Sequence, residues 1–153
     1  MRNVLLIGAG KSSSSLIKFL LEQSKSESLF LTIADQTLDL ANRIIQDHPN
    51  AKTLKFDLFN EIQRQSEIQK ADLVISMLPA RFHIEVAKDC IHLKKHLVTA
   101  SYVSDEMKAL HEDAVKHQLV FMNEIGVDPG IDHMSAMQVI DRIKSEGGKM
   151  ELF

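Results

Sequence analysis

A doubly wound α/β domain built on a parallel, six-stranded sheet is the fold this sequence predicts. Apolar runs of strand length recur six times along its 153 residues, the segments between them carry helical spacing, and the two alternate throughout. Parallel strands need crossovers of a dozen or more residues. Helical crossovers cover both faces of the sheet, so the strands themselves read as almost continuous apolar runs.

The strands fall at residues 3–7, 29–34, 53–56, 73–77, 96–99 and 119–122. Helical segments lie between them at about 11–24, 37–48, 60–70, 81–94 and 104–117, and another helix starts near Asp132. In the second helix Leu38, Leu40, Ala41, Ile44 and Ile45 share a face that should pack on the sheet, while Asp39, Arg43 and Gln46 point elsewhere. Low complexity is confined to the run Ser12 to Ser15, and no linker precedes Gly147-Gly148. Beyond that pair, Lys149-Met150-Glu151-Leu152-Phe153 reads as a strand just starting. The expected division is one domain at 1–148 and the beginning of a second at 149–153.

Composition sets the outer bounds. With 44% hydrophobic and 25% charged residues the chain can bury a full core for one domain. A formal charge of -3 argues against nucleic acid and anionic membrane as partners. The lone Cys90 cannot form an internal disulfide, which fits a reducing, cytoplasmic setting. The apolar run Val4 to Ile7 is too short for a signal peptide or a membrane span, so a soluble, unexported protein is expected. His83, His92, His96, His111 and His117 show no ligand spacing, and no metal is expected. Met107, Met134 and Met137 at helical positions read as packing residues.

The first strand runs into Gly8-Ala9-Gly10-Lys11-Ser12-Ser13. Gly8 permits a tight turn, Gly10 lets backbone approach a pyrophosphate, and the following helix N-terminus favours an anion. Ser12 and Ser13 could add hydroxyl donors; Ser13 stands where the fingerprint has its third glycine or alanine. A ligand-free strand-to-helix turn would use the same glycines. Gly10-Lys11-Ser12 also ends a P-loop pattern, but the glycine that pattern needs is Leu5 here. The second strand ends in Asp35, where a carboxylate can take the adenine ribose hydroxyls and repel a 2'-phosphate. With no arginine following, charge favours NAD over NADP. Helix capping is the alternative for Asp35, although Thr37 is the better cap candidate. Asp57 and Leu58 after the third strand, and Leu78 and Pro79 after the fourth, lie at the strand ends where open α/β sheets bind ligands. Asp57 is a candidate to hydrogen-bond adenine, or a plain cap. Together these features describe a dinucleotide-binding Rossmann domain, whose two mononucleotide-binding halves suit six strands.

Two stretches, DLVISMLPARFHIEVAKDCIHLKKHLVTASYVS and MNEIGVDPGIDHM, resemble the glutamate-forming saccharopine dehydrogenases, also called saccharopine reductases. The resemblance implies an oxidoreductase acting on a CH–NH bond with NAD(P), interconverting saccharopine with 2-aminoadipate semialdehyde plus glutamate in lysine metabolism. It implies that Thr99 belongs to the cofactor site, that Ser101 and Tyr102 touch the amino-acid substrate, and that Asp128 lies beside the reacting nitrogen. Tyr102 and Asp128 are the catalytic candidates. Pro129 and Gly130 would aim Asp128, although an ordinary turn explains the same composition. His133 would cap or line the cleft. The resemblance further implies a large substrate-binding and dimer-forming region after residue 148, so that these residues alone are expected to be inactive and the full-length protein to be a homodimer. Two rivals stand beside it: a stand-alone NAD-binding or redox-sensing module, and a related polyamine-forming reductase that shares the Asp-Pro-Gly segment.

Overall fold

The computed structural model describes residues 1–151. Six strands form one parallel sheet in the order β3-β2-β1-β4-β5-β6: β1 (Arg2–Ile7), β2 (Leu29–Asp35), β3 (Ala51–Lys55), β4 (Leu73–Ser76), β5 (His96–Thr99) and β6 (Phe121–Met122). β1 lies near the middle, with Val4 beside Leu31 and Leu73, and Ile7 beside Ala34 and Ser76. The sequence order reverses between β1 and β4. The connections leaving those two strands therefore diverge, and a crevice opens at their C-terminal ends.

The sheet is covered on both faces because its central strands are apolar on both. Leu5 and Ile7 of β1 join Val74, Ile68, Val86 and Cys90 in one layer, under α3 (Glu61–Lys70) and α4 (His83–Leu93). Val4 and Leu6 join Ile17, Ile33 and Ala41 in the other, under α1 (Ser14–Gln23) and α2 (Asp39–Ile45). Each fully buried Leu, Ile or Val contributes roughly 1.5–3 kcal/mol. The α2 face anticipated from spacing packs as expected: Ala41 is buried, and Ile44 and Ile45 lie against the same layer.

Helix ends follow local chemistry. Asn60 caps α3 by accepting from Gln63 N–H at 3.1 Å. α2 and α4 stop where Gln46 and Lys94 turn left-handed. α1 and α4 each begin with a tight 3-10 turn, at Lys11–Ser13 and Ala80–Phe82.

The differences from sequence expectation sit at the edges. β3 begins at Ala51 rather than 53, and β6 is Phe121–Met122 rather than 119–122. An edge strand pairs on one side only, so its apolar pattern marks its ends weakly. The helix expected at 104–117 is two, α5 (Asp105–Ala109) and α6 (His111–Lys116), joined at Leu110. α7 (Ile131–Ser145) buries none of its residues. Lys149 to Glu151 have no regular structure; Leu152 and Phe153, the rest of the expected second domain, lie outside the described residues. Among the described residues no helix is long and apolar enough to cross a membrane.

One buried ion pair ties the α3–α4 layer to the crevice. Arg64 Nε donates to Asp89 Oδ2 at 2.5 Å, and its Nη1 donates to the Leu58 carbonyl at 2.6 Å, which fixes the turn after β3. Gln65 Nε2 gives Asp89 a second donor at 3.1 Å.

Candidate functional site

The two glycines of the first turn have different causes. Gly8 has φ +104°, and a Cβ there would stand 2.8 Å from the Met77 carbonyl oxygen, so the fold itself demands glycine. Gly10 has ordinary extended backbone, with nothing within 4 Å of a Cβ. No contact inside the protein requires glycine at 10, whereas a diphosphate approaching the backbone would. In the 3-10 turn that leads into α1, Ser13 N–H donates to the Gly10 carbonyl and Ser14 N–H to that of Lys11, which leaves the Lys11 and Ser12 N–H groups without a backbone partner. Ser12 is exposed on the same side. Ser13 is not free to donate to a ligand: it is fully buried and its hydroxyl donates to the Gly10 carbonyl at 2.8 Å, which closes the turn.

Asp35 is tied to the same turn. Its Oδ2 accepts from Ala9 N–H at 2.6 Å, and its Oδ1 accepts from Thr37 N–H at 2.9 Å. The carboxylate thus clamps the glycine turn to the end of β2. Thr37 is not a helix cap, because α2 starts at Asp39 behind Leu38. Beside this clamp lies a cavity of about 230 Å³, walled by Gly8, Asp35, Phe56, Leu58, Leu78 and Pro79, with Gln36 and the Phe59 and Phe82 rings completing it. It has the place and the apolar walls for an adenosine, and Asp35 is the one charged side chain on them.

Asp57, expected to bond adenine, is off that wall. Its Oδ1 accepts from Phe59 N–H at 3.0 Å in its own turn, leaving the neighbouring Leu58 and Phe59 to line the cavity. Phe59 and Phe82 meet edge to face at 5.6 Å, and the Arg81 guanidinium lies 4.6 Å over Phe82. Sequence reading missed all three. The one local signal for Phe59 was an aromatic placed just past a strand end.

A second cleft, about 500 Å³, opens between the glycine turn and the loops after β5 and β6, with Ser12, Leu78, Ser101, Gly126 and Asp128 on its walls. The loop that carries Asp128 is built by two glycines. Gly126 N–H donates to the Pro129 carbonyl at 2.8 Å and Ile131 N–H to the Gly126 carbonyl at 3.0 Å. Gly130 has φ +146°, and a Cβ on it would overlap the Gly126 backbone. The Asp128–Pro129 peptide is cis. Tyr102 reaches across from the loop after β5, and its hydroxyl donates to Asp128 Oδ1 at 2.6 Å. This bond, then partial desolvation, then the nearby negative charges push the exposed Tyr102 phenol up to about 12. His133 stands edge-on to the Tyr102 ring at 6.4 Å and bonds Asp132 at 2.8 Å.

Thr99 is buried; its hydroxyl donates to Asn123 Oδ1 at 3.0 Å, which pins the start of the β6 exit loop, and it lines a neighbouring cavity with His83 and Tyr102. Ser101 does face the cleft and bonds His83 Nε2 at 2.8 Å; burial holds that imidazole below the usual histidine range. Among the described residues no cluster of His, Cys, Asp and Glu could hold a metal ion.

Comparison with known proteins places this architecture. Residues 4–122 match the family described as the saccharopine dehydrogenase NADP binding domain. The L-glutamate-forming, NADP(+) saccharopine dehydrogenase of Schizosaccharomyces pombe is 36% identical over 100% of this chain and 33% of its own length. That of Saccharomyces cerevisiae is 34% identical over 99% and 33%. The apo structure of the L-Glu-forming enzyme from Saccharomyces cerevisiae superposes with a TM-score of 0.81 at 34% identity, covering 98% of this chain and 33% of that one. The chain therefore spans about a third of the length of the curated relatives it matches. On fold, on the matched residues and on identity over its whole length, this chain belongs to the saccharopine dehydrogenase NADP-binding domain family.

Proposed function

We propose that this chain supplies the cofactor site and the proton-handling pair of an NAD-dependent oxidoreductase that interconverts saccharopine with 2-aminoadipate semialdehyde plus glutamate. The observation that carries this reading is the Tyr102–Asp128 hydrogen bond, on the same sheet edge as the glycine turn. Oxidation of a secondary amine moves hydride from carbon and a proton from nitrogen; the resulting imine adds water and splits into aldehyde and primary amine. A nicotinamide bound there would supply the hydride acceptor. The chain's own residues serve the protons: Asp128 accepts from nitrogen, and the Tyr102 phenol, held protonated, donates where oxygen or nitrogen needs it.

At the other end of the crevice, the open space over Gly10 and the unpaired N–H groups of Lys11 and Ser12 suit a diphosphate. The Asp35 carboxylate has lone pairs left for ribose hydroxyls. A 2'-phosphate would meet that negative charge, and Gln36 follows rather than a cation. This is why we read the cofactor as NAD, although the relatives are named for NADP(+). The remaining two-thirds of such an enzyme would complete the amino-acid site.

Calorimetric titration of this chain with NADH and NADPH tests the cofactor, with tighter NADH expected; tighter NADPH would overturn the choice. Saccharopine-dependent NADH formation by the full-length protein tests the reaction, and failure with both cofactors would remove it.

A further inference from the structure

Ser101 belongs to a hydrogen-bonded chain of three buried or half-buried groups. Ser76 closes β4, His83 opens α4, and Ser101 stands just after β5. His83 Nδ1 lies 2.8 Å from Ser76 Oγ, and His83 Nε2 lies 2.8 Å from Ser101 Oγ. All three line the second cleft, the one that also holds Asp128.

Hydrogen-bond accounting fixes where the protons sit. Ser76 is fully buried, and among the described residues His83 Nδ1 is the one hydrogen-bond partner of its hydroxyl. If Nδ1 carried a hydrogen, the hydroxyl hydrogen of Ser76 would be buried without an acceptor, an arrangement folded proteins avoid. Ser76 therefore donates to Nδ1. A neutral imidazole with an accepting Nδ1 carries its hydrogen on Nε2, and it donates that hydrogen to Ser101 Oγ. The Ser101 hydroxyl then turns its own hydrogen into the cleft. No lysine or arginine lines this cleft among the described residues, so an anionic oxygen bound there depends on such neutral donors.

We infer that His83 is a positioning residue: through Ser76 on one side and Ser101 on the other, it makes Ser101 a hydrogen-bond donor to a carboxylate or carbonyl oxygen of the bound amino acid. Ser101 is thereby denied the part of a base, and proton removal is left to Asp128. The identity of the ligand oxygen rests on the proposed function; the protonation pattern does not.

Two measurements separate these. NMR of the chain labelled with isotopic histidine, with the His83 signals assigned by their loss in His83→Gln, is expected to show a neutral ring protonated at Nε2. A ring protonated at Nδ1, or at both nitrogens at neutral pH, overturns the inference. In the full-length protein, His83→Asn keeps an amide near Nδ1 but offers Ser101 nothing, whereas His83→Gln carries an amide N–H close to the Nε2 position. KM for saccharopine should rise about tenfold in His83→Asn with kcat within about twofold, and return to within about threefold of wild type in His83→Gln. Equal losses in both variants, or a loss confined to kcat, would make His83 a packing residue and overturn its positioning role. If the wild type does not turn over saccharopine, the proposed function falls while the NMR result still decides the tautomer.

Discussion

β1, β2 and β4 bury apolar side chains on both faces of the sheet, whereas beyond Thr99 the buried apolar residues are Met107 and Ala114, and α7 buries none. The nucleotide half is thus held by a core. The half beyond Thr99 is held by loop hydrogen bonds: Tyr102 to Asp128, Val103 N–H to Glu124 Oε1 at 3.0 Å, and the Gly126–Gly130 turn. Its apolar side chains Ile131, Met134 and Met137 are exposed. Tyr102 is itself 61% exposed.

The contrast between the halves can be broken most sharply at the glycines. Gly8→Val combines a disfavoured φ with a collision against Met77 and is expected to cost about 4 kcal/mol, seen as a melting temperature lower by roughly 10 °C. Gly10→Ala should leave melting unchanged while weakening NADH binding at least about tenfold, because its Cβ enters ligand space alone. Equal melting losses in the two variants would show that both glycines serve the fold. Next comes the buried pair. Arg64→Met leaves Asp89 without its cation and should cost about 3 kcal/mol by denaturant melts, with Asp89→Leu added to it recovering most of the loss.

A smaller effect tests the loop half. Tyr102 is the single tyrosine of the chain, so its ionisation can be followed directly by ultraviolet absorbance. The midpoint should lie near 12 and fall towards 10 in Asp128→Ala, since the hydrogen bond to Asp128 is the leading cause of the shift. The folded protein holds this proton more tightly than the unfolded chain. Any stability the bond confers is therefore complete below pH 10 and disappears as pH rises through 12. An unmoved midpoint would mean that the pair does not form in solution. Smallest of all, Met134→Ser with Met137→Ser should change the stability of this chain by less than about 0.5 kcal/mol, because neither side chain has a core to leave. A larger loss would show that α7 packs against the domain.

Most of the fold was legible because a central parallel strand must be apolar on both faces, and an unbroken apolar run as short as Val4–Ile7 suits little else. The edges were not, since β3 and β6 have a partner on one side only. In the site, the glycine turn and Asp35 were readable from local spacing, while Tyr102 and Asp128 came from resemblance; they are 26 residues apart and only the folded loops bring them together. Asp57 and Ser13 each bond the backbone of their own turns, engagements that a sequence does not show because it gives a hydroxyl or carboxylate without its direction. Histidines read for metal spacing likewise concealed His83, whose partners are 7 residues before it and 18 after.

The clamp made by Asp35 has a consequence for how such a domain can change. One carboxylate fastens Ala9 to the end of β2 and, on the proposed cofactor reading, sets the charge that a ribose substituent would meet. Lineages drifting from one dinucleotide to the other could not trade this residue alone without loosening the loop that greets the diphosphate. The swap needs a second, compensating change, so preference and loop order should be inherited together.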